Sequence, residues 1–187
     1  MVAVDLYIAV RVAADGPVPG PYSMLALGMA TAGTFDGTTF TRHEPTTFHC
    51  ELQPISAGFV PETLAATGLD RAGLARTGTA PAVAMRQNAA WLAEQAGRHD
   101  ARPVLAGRTL GHDWMFTSWY HARFGTGSPL GTAAHLDLTT LYALRAGRPL
   151  HAVTGAEMTE RLLGHRAPAS HVLDDALEQA ALLSALL

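Results

Sequence analysis

The chain has 187 residues, 48% hydrophobic and 16% charged, a composition that suits a packed core and excludes a disordered chain. Its formal charge is −3 and all thirteen of its basic residues are Arg, so no global basic field draws nucleic acid to it. A single cysteine, Cys50, excludes a disulfide framework and a zinc site built from cysteines.

In chain order, Leu6 to Ala14 is nearly continuously apolar and rich in Val, which predicts a central strand buried on both faces. Arg11 interrupts that run, and a charge there needs a partner or a cleft. Asp15-Gly16-Pro17 and Pro19-Gly20-Pro21 end the strand. Ser23 to Thr31 predicts a second strand, Phe35 to Thr38 a turn, and Thr39 to Thr41 with Phe48 to Leu52 the short strands of an antiparallel meander. Helical spacing follows. Pro61 to Thr67 begins with Pro and closes at Gly68, Asp70 caps a further short turn, and Pro81 to Ala96 is an amphipathic helix ended by Gly97. Arg102 to Gly107 is a short buried strand. Helices are expected over Gly111 to Phe124, Leu136 to Arg145 (started by Asp137), Glu157 to Leu163 and His171 to Leu187. Gly125 to Ala133 and Gly147 to Gly155 read as loops. The order predicts an α/β domain, a mixed sheet flanked by helices, over residues 1–187 without an internal linker. An acid at Asp5 and the lack of a long apolar run predict a cytoplasmic protein with no membrane partner.

Three segments resemble the DEDDh family of 3′–5′ exonucleases, on the ribonuclease H-like fold. Arg11 to Met24 reads RVAADGPVPGPYSM where a bacterial branch of the family has D-V-E-A-D-G-P-[IV]-P-G-x-Y-S-M. Pro103 to Phe116 reads PVLAGRTLGHDWMF where the family has a strand, a loop and G-F-D-W. Ala169 to Leu183 reads ASHVLDDALEQAALL where the family has H-N-x-x-D-D-A. Glu51 to Ser56, Pro61 to Arg71 and Leu136 to Ala143 match its connecting regions.

The resemblance implies four carboxylates holding two divalent metals about 3.5–4 Å apart, with a His as general base. Asp113 and Asp175 stand at two of the carboxylate positions, but the other two hold Arg11 and Ala13. The His position falls on Ser170, with His171 one residue late. One residue turns a side chain by roughly 100° at a helix start. The resemblance therefore implies a divergent member with most of its catalytic residues replaced.

Arg11 has two readings: a salt bridge that fills an abandoned site, or a guanidinium that binds a phosphate or carboxylate of a new ligand. Asp113 and the pair Asp174 and Asp175 begin helical runs, so capping and the helix dipole are sufficient reasons for each alone. Ser170 is also a good cap. His112 and His171 flank Asp113 and Asp175 and could support acid–base chemistry at neutral pH, or be surface residues. A Ser170-His171-Asp175 triad fails because adjacent side chains rarely meet. Trp114, Phe116, Trp119 and Tyr120 read as core, with base stacking the alternative.

The expected site is thus catalytic Arg11, His112, Asp113, His171 and Asp175, with Ala13, Asp15, Tyr22, Met24 and Ser170 lining a ligand pocket and no metal. The expected function is an exonuclease-fold protein that has lost two-metal nuclease activity and uses the old cleft to bind or convert a small molecule. One alternative is a 3′–5′ exonuclease on single-stranded nucleic acid using Mg²⁺ or Mn²⁺. A second is a non-catalytic, homodimeric interaction module. Nucleic acid is the disfavoured partner.

Overall fold

A computed structural model of the chain describes residues 4–125, 127, 129–130, 135–164 and 171–187. The sheet is built outward from β1 (Asp5–Ala14), whose long apolar run is buried against neighbours on both sides. β1 pairs antiparallel with β2 (Met24–Phe35) and parallel with β5 (Arg102–Gly107). The twelve residues of β2 reach past Thr31, four further than local pattern predicts, and serve two partners. Its Gly33–Phe35 end pairs with β3 (Phe40–Arg42), and its Ala26–Ala30 part with β4 (Thr47–Glu51). A strand β6 (His135–Asp137) adds to β5 at the other edge.

The helices are α1 (Pro61–Thr67), α2 (Arg71–Thr77), α3 (Pro81–His99), α4 (Leu110–Phe124), α5 (Leu138–Arg145), α6 (Gly155–Leu163) and α7 (Val172–Leu186). They cover the two faces of the sheet through separate cores. Ile8, Val10 and Val12 pack with Met85 and Leu92 of α3 and with Phe116 and Tyr120 of α4. Ala9, Ala30 and Ala106 pack with Leu138 and Tyr142 of α5, Met158 of α6 and Ala176, Ala180 and Leu183 of α7. Small residues on that second face let α7 lie close to the sheet. At Gly28 the approach is closest: a Cβ there would stand 2.6 Å from the carbonyl oxygen of Val172. Among the described residues no helix is long and apolar enough to cross a membrane.

Some local features differ from expectation. α3 runs through Gly97 to His99 and is closed by Asp100 in the left-handed region (φ 46°, ψ 47°), since a lone glycine lowers helix propensity without forbidding it. Leu136 lies in β6, opposite Ala106, and only then does Asp137 cap α5 by accepting from the Thr140 N–H at 2.7 Å. Asp70 precedes α2, but its side chain makes no capping bond. The segment from Gly147 to Gly155 holds a short 3₁₀ turn (Leu150–Ala152), pinned by Arg148 to the Ala152 carbonyl and to Glu157. Part of the Gly125 to Ala133 loop lies outside the described residues.

Candidate functional site

Strand alternation sends Arg11 and Ala13 to the face opposite Val10 and Val12, toward the start of α7. The close approach at Gly28, which is opposite Arg11 in the register, holds that helix start over the strand. Arg11 Nε donates to Asp175 Oδ2 at 3.2 Å, and its Nη1 donates to Thr109 Oγ1 at 2.9 Å and lies 3.8 Å from Asp113 Oδ1. Thr109 in turn donates to Asp113 Oδ2 at 3.0 Å. The Val12 N–H donates to Asp113 Oδ1 at 3.0 Å. Asp113 is fully buried, with both oxygens occupied. It sits in the first turn of α4, whose N-cap is Thr109, so its role is to tie α4 to β1.

A second guanidinium enters from the end of β5. Arg108 Nη2 lies 3.6 Å from Asp175 Oδ1, and Nη1 donates to Glu178 Oε1 at 2.7 Å. Gln179 accepts from the Arg108 N–H at 2.7 Å and donates to the Val10 carbonyl at 3.3 Å. Asp175, Glu178 and Gln179 share one face of α7 because they are three and four residues apart.

This network separates two cavities. One, of about 380 Å³, is lined by Arg11, Ala13, Ala26, Thr67, His112, His171 and Asp175 among others. The other, of about 460 Å³, is lined by Arg11, Arg108, Thr139, Val153 and Asp175. The Arg11–Asp175 pair belongs to both walls.

Of the expected site residues, Arg11, Ala13, His112, His171 and Asp175 line the first cavity, and Asp113 lies directly behind Arg11. His112 Nδ1 is 3.5 Å from Asp113 Oδ1, and its ring packs on Phe116 at 4.8 Å. His171 is the N-cap of α7, its Nδ1 accepting from the Leu173 N–H at 3.3 Å. Three pocket residues stand elsewhere. Asp15 is fully buried, paired with Arg71 at 2.7 Å and accepting from the Ser23 N–H at 2.6 Å, because a carboxylate in that turn needs full compensation. Tyr22 lays its ring on Gly16, where a Cβ would meet the ring at 2.2 Å. Met24 is sheet core, and its N–H donates to the Tyr120 hydroxyl at 2.7 Å. Ser170 lies outside the described residues. Phe116 and Tyr120 are fully buried and Trp114 and Trp119 partly so.

Sequence reasoning did not bring in Arg108, Thr109, Glu178 or Gln179. The helical spacing from Asp175 is the signal that would have found the last two. It also did not bring in His49 and Glu51, which meet His171 at the cleft rim. Burial and the neighbouring His171 push the His49 pKa below the usual imidazole value, against the pull of Glu51.

The donors do not fit a pair of divalent cations. Arg11 and Ala13 supply no anionic oxygen, both oxygens of Asp113 are hydrogen-bonded, and a guanidinium stands beside Asp175.

No protein-family model matches the chain. It is 33% identical over 139 residues to the 3′-5′ DNA exonuclease Cap18 of Escherichia coli, covering 74% of this chain and 68% of that protein. Among solved structures it superimposes on cell-death related nuclease 4 (CRN-4) with a TM-score of 0.68 at 14% identity, covering 96% of this chain and 62% of that one. For the nuclease domain of 3′hExo, a DEDDh family member solved with rAMP, the TM-score is 0.65 at 12% identity, covering 97% and 90%. For E. coli exonuclease I with a dA16 oligonucleotide it is 0.62 at 15% identity, covering 97% and 40%. The chain thus spans less than two thirds of the CRN-4 and exonuclease I chains, and at these identities the likeness shows the fold alone. Taken with the identity to Cap18 across most of both chains, that fold makes this protein a member of the DEDDh-type 3′–5′ exonuclease family, on the ribonuclease H-like fold.

Proposed function

We propose that this chain binds a small anionic molecule in the exonuclease cleft and has given up two-metal phosphodiester hydrolysis. The observation that carries the reading is Arg11 on the cavity wall, with Nε on Asp175 and Nη1 close to Asp113. Its positive charge stands where the family's chemistry calls for metal. The first cavity offers an apolar floor of Ala13, Ala26 and Leu69 and polar side chains from Thr67, His112 and His171. Across the ion pair, Arg11 and Arg108 line the second cavity together, which favours a phosphate or carboxylate there. Arg11 Nη2 has no hydrogen-bond partner among the described residues and is the donor free to meet it. A nucleoside monophosphate carries such an anion, and rAMP occupies the 3′hExo domain.

The test is calorimetric titration with adenosine monophosphate. Binding is expected, weakened about tenfold or more in Arg11→Met by loss of a charge-assisted contact. Absence of binding to a panel of nucleoside monophosphates and small dicarboxylates would sink the ligand assignment. Loss of hydrolysis is tested separately with Mg²⁺. The native chain is expected to leave a labelled single strand intact, and Arg11→Asp plus Ala13→Glu to gain Mg²⁺ affinity. The relation to Cap18 favours a second reading, a working 3′–5′ exonuclease. Mg²⁺-dependent shortening of the strand by the native chain, abolished in Asp113→Asn plus Asp175→Asn, would establish it and overturn the first.

A further inference from the structure

We infer that His49, Glu51 and His171 form a mononuclear site for Zn²⁺, or a similar borderline divalent cation, at the rim of the cleft. His49 and Glu51 are two residues apart on β4, so strand alternation puts both side chains on one face. His171 reaches them from the N-cap of α7 because Gly28, opposite His49 in the register, lets that helix start come down onto the sheet. One ligand atom from each residue lies within 4.8 Å of the others. His171 Nε2 is 3.9 Å from Glu51 Oε1, and the two imidazoles meet edge to face at 4.2 Å.

These separations are too long for hydrogen bonds. Donors on a tetrahedral zinc, at bond lengths of about 2.1 Å, stand roughly 3.4 Å apart, so from separations of up to 4.8 Å the three must close by up to about 1.4 Å. The room exists, because His49 is exposed and Glu51 half-buried. The groups are also free. Among the described residues neither the His49 ring nor the Glu51 carboxylate makes a hydrogen bond, whereas the other close histidine pair, His43 and His99, stacks at 4.5 Å with His43 bonded to Thr34 at 3.0 Å. Two imidazoles and one carboxylate are a zinc donor set that leaves the fourth position open. His171 also lines the first cavity, so that position is at the cleft and not remote from it.

One contact competes. A neutral imidazole has a single nitrogen lone pair, and His171 Nδ1 now uses it to accept from the Leu173 N–H. A cation on Nε2 requires the ring proton to sit on Nδ1, and the 3.3 Å capping bond is then given up. Asn in place of His171 keeps a capping acceptor and removes the ligand, which separates the two roles. The site uses neither Asp113 nor Asp175 and shares only His171 with the ligand cavity.

The experiment is calorimetric titration of the tag-free chain with Zn²⁺ at neutral pH, with thermal unfolding of every variant followed in parallel. One equivalent is expected to bind. Affinity should fall by at least about tenfold in His49→Ala, Glu51→Gln and His171→Asn. It should not change in His99→Ala or in Asp113→Asn plus Asp175→Asn. No binding by the native chain overturns the inference. So does binding that survives Glu51→Gln and His171→Asn, or binding that needs Asp113 and Asp175. Should a variant not fold, Co²⁺ on the native chain decides. Intense visible bands of a four-coordinate ion are expected, and the weak bands of a six-coordinate ion would refute the site.

Discussion

Two Arg–Asp pairs fasten the end of β1 to the helices around it, and they differ in almost everything but residue type. Asp15 is fully buried, its Arg71 partner bonds at 2.7 Å, and the Ser23 N–H fills another of its acceptor sites. Arg71 also reaches the Ser56 carbonyl and stacks over Phe59 at 5.2 Å. Asp175 meets Arg11 at 3.2 Å, with the two side chains 25% and 34% exposed and a cavity on either side. In the first pair the carboxylate is sealed from solvent, and the pair serves the turn. The second is reachable from both cavities. Family position alone does not separate the two; burial does.

The sharpest way to break the comparison is to delete each arginine. Arg71→Ala leaves a buried carboxylate unpaired and should cost about 3–5 kcal/mol in urea unfolding. A cost under about 1 kcal/mol would show that Asp15 does not fasten the turn.

That comparison has to be made above about pH 6.5. His121 is fully buried, and burial alone depresses its pKa to about 4. The unfolded chain takes up the proton first, at the ordinary imidazole value, so stability falls as pH drops from about 6.5 toward 4. The loss is on the order of 3 kcal/mol, and stability curves for His121→Gln should lack it.

Thr109→Val tests the link between the two cleft acids. It strips a buried oxygen of Asp113 of its donor and Arg11 of an acceptor, for an expected loss of about 1–2 kcal/mol. Arg11→Met is the smallest perturbation to stability, under about 1 kcal/mol, because the pair is half-exposed and Arg108 still faces Asp175. Its effect should appear in ligand affinity instead. A large loss of stability in this variant would make both pairs structural and erase the contrast.

Much of the fold was legible because its signals are local. α1 begins at Pro61 and ends at Gly68 with a φ of 67°, and β5 is an apolar run bounded by Arg102 and Gly107, both as expected. β6 was not, because three residues have no period to read and its existence depends on β5 lying beside it. The cleft divides the same way. Arg11, Asp113 and Asp175 were reachable through motif positions, whereas Arg108 and Thr109 became visible only when the end of β5 met α7 and α4. Asp15 shows the converse. It sits inside a matched motif, yet its partner is 56 residues away on α2, and no local pattern announces that pairing.

The bare Cα of Gly28 sets the dimensional tolerance of this whole corner. Backbone rests on backbone there, with no compliant side chain between, so the height of the first turn of α7 is fixed by a hard contact. Gly28 is opposite Arg11 on one side and His49 on the other, which makes that contact the common datum for both groups of side chains. A single methyl at position 28 would act as a shim. It would lift Asp175 from Arg11 and His171 from His49 and Glu51 in one movement, by a few tenths of an ångström to about 1 Å. The pocket and the rim are machined against the same surface.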